Sequence, residues 1–70
     1  MVLSEVRNNG IYHVRQLHDG AGYIHRHLEN LGFVPGEQIV VVSRIGGNLI
    51  VNVKGSRVAL SSELAKHITV

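Results

Sequence analysis

A chain of 70 residues, 44% of them hydrophobic and 17% charged, has room for one small core and is too apolar to remain disordered. Seven Lys and Arg against five Asp and Glu leave a net charge of +2, and the cations are scattered along the chain, so no basic block exists to grip a phosphate backbone. Cysteine is absent, which excludes a disulfide framework and thiolate metal sites.

The opening Met1-Val2-Leu3-Ser4-Glu5 lacks a basic stretch followed by an apolar run, so no signal peptide is visible. The longest apolar run, Ile39 to Val42, is far too short to span a bilayer. A cytoplasmic protein with no membrane insertion is the expectation.

Leu3 and Val6 anchor an N-terminal segment that closes at Asn9-Gly10. Ile11 to Leu17 reads as a strand with Val14 and Leu17 in the core; their spacing of three breaks alternation and predicts a bulge near Arg15-Gln16. Asp19-Gly20-Ala21-Gly22 reads as a turn. Ile24, Leu28 and Leu31 then recur at i, i+4 and i+7, predicting a helix over Tyr23 to Leu31. Gly32 suits the left-handed residue that ends a helix, and Pro35 forbids its continuation.

Glu37 to Arg44 is a strand rich in Ile and Val, followed by a turn at Ile45-Gly46-Gly47-Asn48. Leu49 to Lys54 is the next strand, with Leu49, Val51 and Val53 on one face. Lys54-Gly55-Ser56 turns tightly into a strand from Arg57 to Leu60. Ser61 can cap a helical turn, Glu63 places favourable charge in its first turn, and Ile68 to Val70 can pair as a last strand. Several short strands with one early helix and a late helical turn point to a mainly β, small barrel of about five strands, because an open sheet of this size would leave two unprotected edges. The whole chain, residues 1–70, is expected to form one such unit.

The chemistry-bearing residues are sparse. His25 and His27, two apart on a helix, point in different directions and lack the i, i+4 spacing of helical zinc sites. They are only weak candidates for ferrous iron or another divalent metal, and no resident cofactor is expected. His13, His18 and His67 read as solvated loop or strand-edge residues. Ser43, Ser56 and Ser61-Ser62 fall in strand-end, hairpin and capping contexts, the lone Asp19 is explained by its turn, and Gly46-Gly47 is a hairpin and not a phosphate loop. The sequence therefore nominates no catalytic residue and no enzyme activity.

Tyr12, Tyr23 and Phe33 are not interleaved with Lys or Arg, so no stacking platform for nucleic acid exists, and Phe33 after Gly32 reads as a core plug. Protein binding remains. The outward face of the helix carries Tyr23, Arg26, His27 and Asn30, a mix of the kind that interfaces favour, and these four are the candidate partner-binding residues.

Leu28-Glu29-Asn30-Leu31-Gly32-Phe33-Val34-Pro35-Gly36-Glu37-Gln38-Ile39 resembles the Leu-x-x-Leu-Gly-hydrophobic-x-Pro-Gly-x-x-hydrophobic stretch of the FeoA family. Leu3, Gly10, Val14, Leu17 and Gly20 upstream, and Val58-Ala59-Leu60, Ala65 and Ile68-Thr69-Val70 downstream, fall where that family has its opening and closing hydrophobic positions. The same pattern is similar to the C-terminal SH3-like domain of iron-dependent repressors; the DNA-binding and dimerisation domains of those repressors are not seen here, which favours the stand-alone protein. The resemblance implies an SH3-like barrel that acts as an accessory to ferrous iron uptake. Its partner would be FeoB, a membrane permease with a cytoplasmic GTP-binding domain, and self-association is left open. His27 stands where that family often has Arg, and Ser61 where it often has a basic residue.

Overall fold

The computed structural model describes residues 1–7, 9–18 and 22–70. A 3-10 turn over Leu3–Glu5 precedes strands β1 (Gly10–His13) and β2 (Gln16–Leu17), helix α1 (Gly22–Leu31), strands β3 (Gln38–Ile45), β4 (Asn48–Val53) and β5 (Ser56–Ser61), helix α2 (Ser62–Ala65) and strand β6 (Ile68–Thr69). The strands form an antiparallel four-stranded sheet, in the order β1-β3-β4-β5, and a two-stranded sheet of β2 and β6.

The stretch expected to be one bulged strand from Ile11 to Leu17 is two strands in two sheets. The chain turns a corner at Val14 and Arg15, and three of their backbone groups find partners elsewhere. The Val14 N–H donates to the Glu37 carbonyl at 2.9 Å, the Val14 carbonyl accepts from Gly36 N–H at 2.7 Å, and the Arg15 N–H donates to the Thr69 carbonyl at 2.7 Å. Backbone groups shielded from water must find partners, so the corner is fixed by its neighbours on both sides. The bulge lies instead in β3. Register against β4 shifts between Val41 and Ser43, leaving Val42 as the extra residue, and the Asn9 Nδ2 donates to its carbonyl at 2.9 Å.

The turns follow their residues. The Glu37 N–H donates to the Val34 carbonyl at 3.0 Å around Pro35 and Gly36, whose φ of 90° completes a type II turn. Gly46 alone is at positive φ in the β3–β4 hairpin, whereas Lys54 (φ 50°) and Gly55 (φ 76°) both are in the β4–β5 hairpin, the pattern of type I′. Ser61 Oγ accepts from the Leu64 N–H at 3.3 Å, the expected cap of α2.

Helix α1 ends in a paired C-terminal motif. The Gly32 N–H donates to the Glu29 carbonyl and the Phe33 N–H to the Leu28 carbonyl, both at 3.0 Å, with Gly32 at φ 108°. A Cβ at Gly32 would also meet the Lys54 side chain at 3.3 Å. Gly32→Ala should therefore cost about 1–3 kcal/mol through the left-handed backbone alone. Urea unfolding of the variant measures it, and an unchanged midpoint would refute the assignment.

One core joins all the elements. Leu3, Val6, Val14, Leu28, Phe33, Ile39, Val41, Leu49, Val51, Val53, Leu60, Ala65 and Ile68 are buried, and no polar or charged side chain is buried among the described residues. The barrel closes through this packing and the Val14–Arg15 corner, not through one continuous ladder. The Val2–Thr69 bridge and a 2.9 Å hydrogen bond from Val70 N–H to the Met1 carbonyl flank β6 on the side away from β2. The expected last strand to Val70 is thus Ile68–Thr69, with Val70 bonded just beyond it.

Candidate functional site

Helix α1 divides cleanly by face. Leu28 is buried and Ile24 and Leu31 are partly buried against the core. Tyr23, Arg26, His27 and Asn30 are all exposed, Tyr23 at 71%. Their spacing of i, i+3, i+4 and i+7 places them on one helix face, so the four residues nominated by sequence share one surface. Arg26 makes no ion pair among the described residues, and its guanidinium is available to a partner. An exposed aromatic beside an unpaired Arg is the kind of group that carries binding energy at interfaces.

The histidines are placed differently from expectation in part. His13 and His27 are exposed. His18 and His67, expected to be solvated, are half-buried, because the Nδ1 of His67 donates to the His18 carbonyl at 2.9 Å. The His18 N–H in turn donates to the His67 carbonyl at 2.8 Å, extending the β2–β6 pairing by one residue. A carbonyl can only accept, so the His67 proton resides on Nδ1. His25, within α1, is half-buried, its Nε2 shielded from solvent with no hydrogen-bond partner among the described residues, and it does not share a face with His27. Among the described residues no three His, Cys, Asp or Glu side chains come together as metal ligands, so they offer no preformed cage.

The serines keep their structural settings: Ser43 in β3, Ser56 opening β5 and Ser61 capping α2. Asp19 and the turn proposed for it lie outside the described residues apart from Gly22, which opens α1. None of the described helices is long and apolar enough to cross a membrane. Sequence reasoning gave Arg44 no role beyond a strand end, yet it lines two surface clefts. The larger, about 640 Å³, runs between the N-terminal segment and β3, and the smaller, about 190 Å³, lies over the β3–β4 hairpin. Only the three-dimensional placement of Arg7 beside β3 could have revealed the larger one.

The FeoA domain model matches residues 1–70. No curated protein matches the chain in sequence. Among solved structures, FeoA of Stenotrophomonas maltophilia complexed with zinc, described as a prokaryotic SH3 domain protein, is 34% identical with a TM-score of 0.85, over 99% of this chain and 87% of that one. FeoA of Chlorobium tepidum is 27% identical with a TM-score of 0.85, over 99% of this chain and 67% of that one. The manganese regulator SloR, 17% identical with a TM-score of 0.84 over 96% of this chain and 32% of its own, shares the fold alone. The SH3-like barrel that the resemblance implies is the fold observed.

Proposed function

This chain belongs to the FeoA domain family, and we propose that it is a cytoplasmic, non-catalytic regulator of ferrous iron uptake that works by direct contact with the GTP-binding domain of the FeoB permease. The S. maltophilia relative has been put forward as a ferrous iron transport activating factor, and another relative, 29% identical over 97% of this chain, is described as an iron uptake regulatory protein. The observation that carries the reading is the contiguous exposed face of Tyr23, Arg26, His27 and Asn30 on a helix whose opposite side is locked into the core. Such a helix is a rigid platform, so contact loses little conformational entropy. Iron in this scheme is the permease's cargo.

Immobilised FeoB GTP-binding domain should retain the protein, and Tyr23→Ala and Arg26→Ala should each weaken retention about tenfold while leaving the fold intact. Absence of retention with and without guanine nucleotide and ferrous iron would overturn the proposal.

A second reading, direct iron binding, is favoured by one atom: the shielded Nε2 of His25, which has no hydrogen-bond partner among the described residues. Anaerobic titration with ferrous iron separates the two. Tight stoichiometric binding lost on His25→Ala would favour an iron chaperone; its absence leaves the contact reading alone.

A further inference from the structure

The larger cleft sits beside the stretch of β3 that β1 does not cover. Strand β1 pairs with β3 only from Gln38 to Val41. The bulge at Val42 follows, its carbonyl capped by Asn9, and from Ser43 to Ile45 β3 has β4 on one side and, among the described residues, no strand on the other. The two-residue loop Gly46-Gly47 makes Ile45 and Asn48 the hydrogen-bonded pair, so Arg44, opposite Leu49, directs its own N–H and carbonyl toward the open edge.

The same edge carries unsatisfied charge. Met1, Ser4, Glu5, Val6, Arg7 and Arg44 line the cleft. Both arginines are exposed, and neither guanidinium makes an ion pair or hydrogen bond among the described residues. Two arginines lining one cleft, with no ion pair among the described residues, repel each other and attract carboxylates, which guanidiniums can bind bidentately. Glu5 on the same wall offsets part of that charge, so a uniformly acidic ligand is disfavoured. Met1, 69% exposed, adds apolar surface at the rim.

We infer that this cleft binds an extended acidic segment of a partner protein. The segment adds beside β3 through the main chain of Arg44 while two of its carboxylates, on alternate residues, reach Arg7 and Arg44. Alternation matters because side chains of an extended chain project to one side at every second residue. The cleft shares no residue with α1, so it is a contact surface separate from the helix face.

The test uses the full chain and a fluorescein-labelled peptide, Glu-Val-Glu-Val-Glu, with Lys-Val-Lys-Val-Lys as its counterpart. The acidic peptide should bind with a dissociation constant below about 1 mM, and shift the amide resonances of Ser43, Arg44 and Ile45. Arg7→Glu with Arg44→Glu, both at exposed positions, should weaken it at least about tenfold, as should raising salt from about 50 to about 500 mM. Tyr23→Ala should leave it unchanged, which separates this surface from the FeoB-facing helix. Equal binding of the lysine peptide, resonance shifts confined to other regions, absence of binding at about 5 mM, or indifference to charge reversal would each overturn the inference.

Discussion

Phe33→Ala should remove about 3–5 kcal/mol of stability, the usual cost of emptying an aromatic site in a packed core. Phe33 is the largest fully buried side chain, and it follows directly on the hydrogen-bonded end of α1. Its ring therefore stands where helix, Pro35 turn and sheet meet, and no neighbouring element can collapse into the gap without moving that motif. A chain of 70 residues has only about 4–10 kcal/mol to lose in total. The variant should melt at least about 12 °C lower, or fail to fold at ambient temperature. Tyr23→Ala, at a position 71% exposed, should change stability by less than about 0.5 kcal/mol. Thermal unfolding of both proteins checks the contrast, and similar melting temperatures would remove Phe33 from its central place.

Ile68→Ala should cost about 2–5 kcal/mol, although it is the third residue from the end of the sequence. Terminal residues ordinarily fray, but Ile68 is fully buried and paired opposite Leu17. Its strand is held on both sides, by β2 and by the bridge from Val2 to Thr69. Truncation to Ala leaves those backbone bonds in place, so the loss measures the side chain alone. Urea denaturation should show a lower midpoint with an unchanged slope. A midpoint equal to that of the parent protein would mean that β6 is an appendage to the core and not part of it.

Much of the fold was legible because local rules sufficed. The i, i+4, i+7 spacing of Ile24, Leu28 and Leu31 marked the buried side of α1, and Gly32 and Pro35-Gly36 marked its end and the turn beyond. The shared exposed face of Tyr23, Arg26, His27 and Asn30 followed from the same helix geometry. The corner at Val14 and Arg15 reads in sequence as a bulge near Arg15-Gln16, because a broken alternation looks the same whether a strand bends or changes partner. Only the acceptors, Glu37 and Thr69, distinguish the two cases, and both are remote in sequence. His18 and His67 were misplaced for the same reason, being 49 positions apart. The cleft between Arg7 and Arg44 is equally a product of long-range packing. No period or motif announces it.

The topology also divides the protein in time. Strands β3, β4 and β5 form a meander joined by two-residue turns, so their contacts close short loops that cost little entropy. The seam of Val2, β2 and β6 instead joins the two ends of the chain, at Gln16 with Thr69 and Leu17 with Ile68. The meander is therefore expected to form first and the seam to close over it last. Once folded, the seam is where the protein should open most readily, exposing the amides of Arg15 and His18 to exchange with solvent sooner than that of Val51 in the central strand. Hydrogen exchange under native conditions would reveal that order; uniform protection would mean that the barrel opens only as a whole. The pairing that ties the first residues of this small barrel to the last is also its door.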